Sequence, residues 1–244
     1  MPEPCLSFFD FDNTLYKGTS RYIILDFATY LTTRNHFPAS QFEILQKLFK
    51  SYFAGTLSRH DFGVRVVEAF YRGLEGYGEM EIHDLALDFI QDQGEATWFP
   101  HTLPLLKLVT PFVRSILVSG SPVEILEPVN QILRLNEVHA SQGVTENGVF
   151  SGETRRELAT ASAKQDFMVS LSRTRPFDVQ RSMAFGDSES DFPLFEAVAP
   201  DNAFLITNQL KLKQVADKNH WHFILQEGPV VETIQLRIGS LFQP

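Results

Sequence analysis

The segment 6–12, which ends in Asp10-Phe11-Asp12, constrains the fold more than any other stretch of this chain. It reads as a short buried strand that ends in two carboxylates one residue apart. Residues i and i+2 of a strand share a face, so we expect Asp10 and Asp12 side by side, with the phenylalanines directed the other way. Two close carboxylates repel unless a cation neutralises them, and Mg²⁺ takes one or two carboxylates together with phosphate oxygens. The pair therefore predicts phosphate chemistry at a strand end.

The next eighty or so residues have a different pattern. Within 16–97, four runs of apolar residues recur at helical spacing, and no convincing strand lies between them. We predict an all-helical unit inserted directly after the first strand. An insertion at this place is suited to form a lid that selects the substrate.

After Phe99-Pro100 the pattern alternates between short apolar strands and amphipathic helices. Such alternation predicts an α/β fold whose parallel sheet is covered by helices on both sides. A short strand is predicted at 137–142. Asn147-Gly148 favours a β-hairpin over 143–152, because this dipeptide suits a type I′ turn, and a helix is predicted over about 157–172. We therefore divide the chain into a catalytic core, 1–15 and 98–244, and a helical cap, 16–97.

The composition narrows the function classes. The chain has 244 residues and a net charge of −9, which disfavours a nucleic-acid partner. Cys5 is the single cysteine, so neither an intramolecular disulfide nor a cysteine-based zinc site is expected. We see no signal peptide and no apolar run long enough to span a bilayer, and we expect a cytoplasmic protein. The sequence carries no indication of its oligomeric state.

Asp10 and Asp12 can divide the work of phosphoryl transfer between them. Asp10 can attack phosphorus and form an aspartyl-phosphate. Asp12 can protonate the leaving oxygen and then activate the water that hydrolyses the intermediate. Thr14 follows in the same motif as a supporting residue.

Three further segments place polar groups at or near strand ends, where open α/β sheets bind ligands. Ser119 and the Gly120 N–H can hold phosphate oxygens, and Lys164 can neutralise the phosphoryl group and Asp10. Asp187 would complete a Mg²⁺ site with Asp10 and the backbone carbonyl of Asp12. Asp191 could bind the metal through water or orient Lys164.

The four motifs resemble, in this order, those of the haloacid dehalogenase-like (HAD) hydrolase superfamily, and most of all its phosphoserine-phosphatase-like branch. They are DxDxT at 10–14, Ser119-Gly120, Lys164, and GDSxSD at 186–191. Lys164 precedes Asp187 by 187 − 164 = 23 residues, a separation of the kind the family uses. The resemblance implies a Rossmann-like three-layer core with a parallel sheet and an inserted helical cap. It also implies Mg²⁺-dependent hydrolysis of a small phosphomonoester.

The cap departs from the family's pattern. Phosphoserine phosphatases carry a Glu seven residues after the second motif Asp, and this chain has Thr19 there. Thr cannot pair with an ammonium group, so we expect a substrate other than phosphoserine. Arg65 is our candidate for the cap arginine that, in the family, binds a substrate carboxylate.

Two alternatives to the phosphatase remain open. The aspartyl-phosphate could pass to a second hydroxyl group, which would make the protein a phosphotransferase. The chain could also be a non-catalytic binding or regulatory protein that retains the fold, because fold alone does not imply activity. The retention of Asp10, Asp12, Lys164 and Asp187 favours catalysis.

Overall fold

The computed structural model describes residues 3–242. Seven strands and ten α-helices lie in this range. The strands are β1 (Leu6–Phe9), β2 (Arg114–Pro122), β3 (Glu137–Glu146), β4 (Val149–Arg156), β5 (Met183–Gly186), β6 (Ala203–Ile206) and β7 (His222–Ile224). The helices are α1 (Ile23–Thr33), α2 (Ala39–Phe53), α3 (Arg59–Gly73), α4 (Glu79–Asp92), α5 (Thr102–Val109), α6 (Val123–Leu133), α7 (Ala161–Thr174), α8 (Phe192–Glu196), α9 (Lys213–Asn219) and α10 (Val230–Phe242).

All seven strands form one sheet in the order β4-β3-β2-β1-β5-β6-β7. Every neighbouring pair is parallel except β3 and β4, which form an antiparallel hairpin at one edge. In the sheet, β2 lies on one side of β1 and β5 lies on the other. The strand order runs outward from β1 in both directions. The carboxyl ends of these three central strands therefore meet at a topological switch point, the usual ligand site of such sheets.

The two faces of the sheet are buried in separate hydrophobic clusters. Phe9 belongs to a cluster with side chains of α5, α6 and α10, whereas Phe8 belongs to a second cluster with side chains of α7, α8 and α9. Adjacent strand residues point to opposite faces, so the single strand β1 contributes side chains to both hydrophobic clusters. The predicted α/β architecture with three layers is confirmed.

Helices α1 to α4 lie between β1 and α5 in the chain, as the periodicity predicts. α3 begins at the N-cap Ser58, whose hydroxyl accepts a hydrogen bond from the Asp61 N–H. Apolar side chains of these four helices continue the cluster that contains Phe9, so they pack as one body with that face of the core. The division into a core and a cap stays a prediction.

Three details differ from the sequence reading. β3 runs unbroken from the parallel sheet into the hairpin, where we expected a strand and a separate hairpin. The short helix α5 was not predicted from its eight residues. α7 begins at 161 rather than 157, because the Thr160 hydroxyl caps it by accepting from Ala163 N. Within 3–242, no helix is both long and apolar enough to cross a membrane.

Candidate active site

Lys164 links two of the predicted site residues. Its Nζ donates to Asp10 Oδ1 at 2.7 Å and to Asp191 Oδ1 at 2.6 Å, and the lysine is 1% exposed. Burial lowers the pKa of Lys164, but the adjacent carboxylates outweigh this and raise it. The lysine therefore stays charged. Of the two roles open to Asp191, the contact supports the orientation of Lys164.

Asp10, Asp187 and Asp191 bring carboxylate oxygens within 4.8 Å of one another, and all three residues are buried. The pKa of Asp10 is raised to about 6. Burial and the Asp191 carboxylate raise it, and Lys164 opposes both. Burial and the same neighbour also raise the pKa of Asp187. Lys164 alone cannot balance three carboxylates. This set of hard oxygen donors fits a divalent metal ion.

The GDSxSD segment shapes this cluster through Asp191. Its Oδ2 accepts from the backbone N–H groups of Asp187 and Ser188, both at 3.0 Å. A side chain added at Gly186 would lie 2.5 Å from Asp191 Cβ, so the close approach requires glycine. Asp191 thus fixes the loop that carries Asp187.

Asp12 lies in a different set of contacts. Its Oδ1 accepts from the Ile23 N–H at 2.7 Å, and its Oδ2 accepts from the Ser121 hydroxyl at 2.6 Å. Burial raises the pKa of Asp12 to about 7, although both hydrogen bonds oppose the rise. A carboxyl group that titrates near neutrality is suited to general acid and base work. Thr14 reaches Asp10 Oδ2 at 3.5 Å, a long contact.

The irregular carboxyl end of β2, which we call the Gly120 turn, places Gly120 and Ser121 in the cavity beside Asp10. The Ser119 hydroxyl accepts from Ser121 N at 3.1 Å, so it supports this turn. A side chain at Gly120 would lie 2.5 Å from Ala159 Cα, and only glycine fits there. The sequence motifs do not single out Ser121, although it follows the Ser-Gly pair directly.

The cap closes the cavity above these residues. Tyr22, Ile24, Phe62, Val66 and Val67 form a largely apolar roof. The cavity measures about 40 Å³, enough for a few water molecules. A more open cleft of about 610 Å³ shares Tyr22 with this cavity and contains Asp187. The two spaces give the site a closed catalytic end and an open approach.

Arg59, the first residue of α3, also lies in both spaces. Its Nη2 donates to the Ser190 hydroxyl at 3.2 Å, while its buried Nε has no hydrogen-bond partner within the described residues. A buried donor on a charged group favours an acceptor supplied by a ligand. The arginine we expected, Arg65, is exposed and lines a groove between α2 and α3 instead. Arg59 is thus the cap arginine that faces Asp10.

Thr19 is exposed on the loop before α1. Its backbone N–H donates to Asp26 Oδ2 at 3.0 Å, and the same oxygen accepts from the Tyr16 hydroxyl at 2.9 Å. Asp26 therefore organises the loop. Thr19 does not line the catalytic cavity.

Comparisons with known proteins agree with this site. A model of the haloacid dehalogenase-like hydrolase family matches residues 7–196. The inhibition of morphological differentiation protein of Streptomyces azureus is 30% identical over 150 residues, which cover 61% of this chain and 50% of that protein. The phosphoserine phosphatase SerB1 of Mycobacterium tuberculosis (strain H37Rv) is 24% identical over 234 residues, which cover 88% of this chain and 68% of that protein. The match thus spans only half the length of the first relative.

Solved structures share the fold. A protein of unknown function from Bordetella pertussis Tohama I superposes with a TM-score of 0.70 at 18% identity, covering 91% of this chain and 98% of that one. A phosphoserine phosphatase with a phospho-aspartyl intermediate analogue gives 0.62 at 16% identity, covering 97% and 99%. The expected family and fold are confirmed.

Proposed function

We propose that this chain, which belongs to the haloacid dehalogenase-like hydrolase family, is a phosphatase of the phosphoserine-phosphatase-like branch and hydrolyses a small phosphomonoester through a phosphorylated Asp10. The observation that carries the proposal is the buried Lys164, which binds Asp10 and Asp191 at once at the end of β1. A lysine in this place holds the Asp10 carboxylate ionised for attack and meets the incoming phosphoryl oxygens.

The reaction divides into two steps. Asp10 attacks phosphorus, and the bond to the leaving oxygen breaks while Asp12 gives that oxygen its proton. Asp12, now ionised, takes a proton from the water that attacks phosphorus in the intermediate. The bond between phosphorus and the Asp10 oxygen breaks, which releases inorganic phosphate and restores the Asp10 carboxylate. Asp12 is suited to both directions because its pKa lies at about 7. The Ser121 hydroxyl and the Ile23 N–H fix its orientation.

Mg²⁺ is the proposed cofactor, held by Asp10, Asp187 and the backbone carbonyl of Asp12. It would supply charge neutralisation at the phosphoryl oxygens. The Ser119 hydroxyl supports the turn, and the Gly120 N–H would hold a phosphate oxygen there. Asp191 would act through Lys164 and Asp187.

The cap residues suggest which leaving group enters. The residues that line the cavity from the cap include Arg59 but, within the described residues, no acid. An ammonium group would find no carboxylate there, whereas an anion would meet Arg59 beside the apolar roof. We therefore propose a leaving group that carries a hydrogen-bond acceptor or negative charge and no amine. Phosphoserine does not fit this description.

The mechanism is tested by phosphate release with and without Mg²⁺. We expect Asp10→Asn to abolish turnover and to prevent labelling of the protein by substrate phosphate. If Asp10→Asn turned over substrate as fast as wild type, Asp10 would be excluded as the nucleophile. O-phosphoserine and its deamino analogue, 3-phosphooxypropionate, test the leaving group, because they differ only in the amine. A higher kcat/KM for phosphoserine would contradict our interpretation of the cap.

A further inference from the structure

A buried hydroxyl group in the cap faces two acceptors. The Tyr71 hydroxyl, near the end of α3, lies 2.7 Å from Glu124 Oε2 and 2.9 Å from the carbonyl oxygen of Ser141. A phenol has one proton and can donate to only one of them. Both hydrogen bonds form if the Glu124 carboxyl group carries a proton, donates it to the Tyr71 oxygen, and leaves the phenol proton for Ser141.

The surroundings of Glu124 favour the protonated form. Glu124 is 8% exposed, and burial is the main cause that raises its pKa to about 7, although hydrogen bonds from Tyr71 and from the backbone of Glu124 and Gly143 oppose the rise. Glu79 and His83 of α4 and Glu127 of α6 face the same small pocket as Glu124. The Glu79 charge contributes to the raised pKa of Glu124. The Arg156 charge on β4 lowers the pKa of Tyr71, whose net pKa is nevertheless raised by burial.

The same contacts reach the phosphate-binding turn. The Ser141 hydroxyl donates to the Gly120 carbonyl at 2.7 Å and accepts from Leu158 N at 3.0 Å. Leu158 precedes Ala159, which touches Gly120 and the α3 residue Gly63. α3 is thus held to this turn at two places, and its first turns carry Arg59 and the roof of the cavity.

We infer that Glu124 carries a proton in the working enzyme and that, together with Tyr71, it positions α3 against the Gly120 turn. The inference rests on the proposed function, because Glu124 would act on that reaction by positioning the cap over the catalytic cavity. When Glu124 releases its proton to solvent through the pocket, Tyr71 must turn its own proton to the carboxylate. The Ser141 carbonyl then loses the hydrogen bond from Tyr71, and the cap loses one of its connections to the turn.

The test compares wild type, Glu124→Gln and Tyr71→Phe from pH 5.5 to 8.5 with saturating Mg²⁺. Gln donates to Tyr71 as the protonated acid does and has no proton to lose. We expect Glu124→Gln to match wild-type kcat/KM at pH 5.5 and to exceed it about fivefold at pH 8.5. Tyr71→Phe should lower kcat/KM about fivefold at pH 5.5. At each pH the kcat/KM of the variant is divided by that of wild type. The titration of Asp12, which is common to both proteins, then cancels.

Glu196→Gln is the matched control, since it removes the same charge from an exposed position on α8, outside the pocket that contains Glu124. Its ratio to wild type should not vary with pH. A Glu124→Gln ratio that is equally flat would overturn the inference. A ¹³C NMR titration of the Glu124 carboxyl group reads its protonation without turnover. If no phosphomonoester is hydrolysed but Glu124 titrates near neutrality, the proposed function fails alone; if Glu124 is ionised at pH 5.5, this inference fails alone.

Discussion

Within residues 3–242, Lys164 is the one cation in contact with Asp10 and Asp191, and the effect of Lys164→Met follows from this geometry. The lysine side chain is 2% exposed, and both N–O distances are below 2.8 Å. Breaking a buried ion pair from one side costs about 3–5 kcal/mol, because the remaining charges lose their compensation. For a domain of this size, this corresponds to a fall in Tm of roughly 6–20 °C. The methionine keeps the length of the side chain, so the loss reports the charge.

The raised pKa of Asp10 predicts how the loss of stability in Lys164→Met depends on pH. The pKa of Asp10 is already raised in the folded protein, so the folded state binds more protons than the unfolded state. Stability therefore falls as pH rises from about 4 toward about 6. Without Lys164 the pKa rises further, and the fall continues to higher pH. We expect the deficit of the variant to be small at pH 5 and largest above neutrality.

Denaturant unfolding in EDTA at pH 5 and pH 7.5 measures both effects. Lys107→Met, at an exposed position on α5, controls for the loss of a surface lysine and should change stability by less than about 0.5 kcal/mol. Added Mg²⁺ should recover part of the deficit in Lys164→Met, because a cation at the carboxylates replaces some of the lost charge. A variant as stable as wild type at pH 7.5 would refute the claim that Lys164 compensates this cluster.

Three further variants test other parts of the site. Arg59→Gln should raise KM by roughly 10-fold or more for an anionic leaving group, from the loss of a charged hydrogen bond, while Arg65→Gln should leave steady-state kinetics unchanged. Gly120→Ala places a methyl group 2.5 Å from a backbone atom, so it should destabilise the protein by about 1–3 kcal/mol in thermal unfolding, whereas Gly94→Ala, which meets nothing within 4 Å, should not. Asp12→Asn should lower kcat about 10²–10⁴-fold for an alkyl phosphate and less for nitrophenyl phosphate, whose leaving group needs no proton.

The catalytic end of the site could be predicted from the sequence for a physical reason. β1, β2 and β5 are short, apolar and parallel, so the polar residues that follow them meet at one edge whatever the rest of the chain does. Lys164 is different, since nothing in its own helix distinguishes it from a solvated lysine. Only its place among the family's motifs indicated it, and the structure then brings it to Asp10.

The cap end could not be predicted in this way, because helical periodicity gives the buried stripe of a helix but not its rotation over a distant strand. Arg59 and Arg65 lie six residues apart on α3, and sequence offers no reason to prefer the first. The choice is made by the packing of Gly63 on Ala159, where a Cβ atom would lie 3.1 Å from the alanine Cβ. This contact turns Phe62 and Arg59 toward Asp10 and leaves Arg65 outside. If Arg59 selects the leaving group as we propose, the preference depends on the packing of Gly63, which also lines the cavity, and it cannot be read from the charged residues of the cap alone.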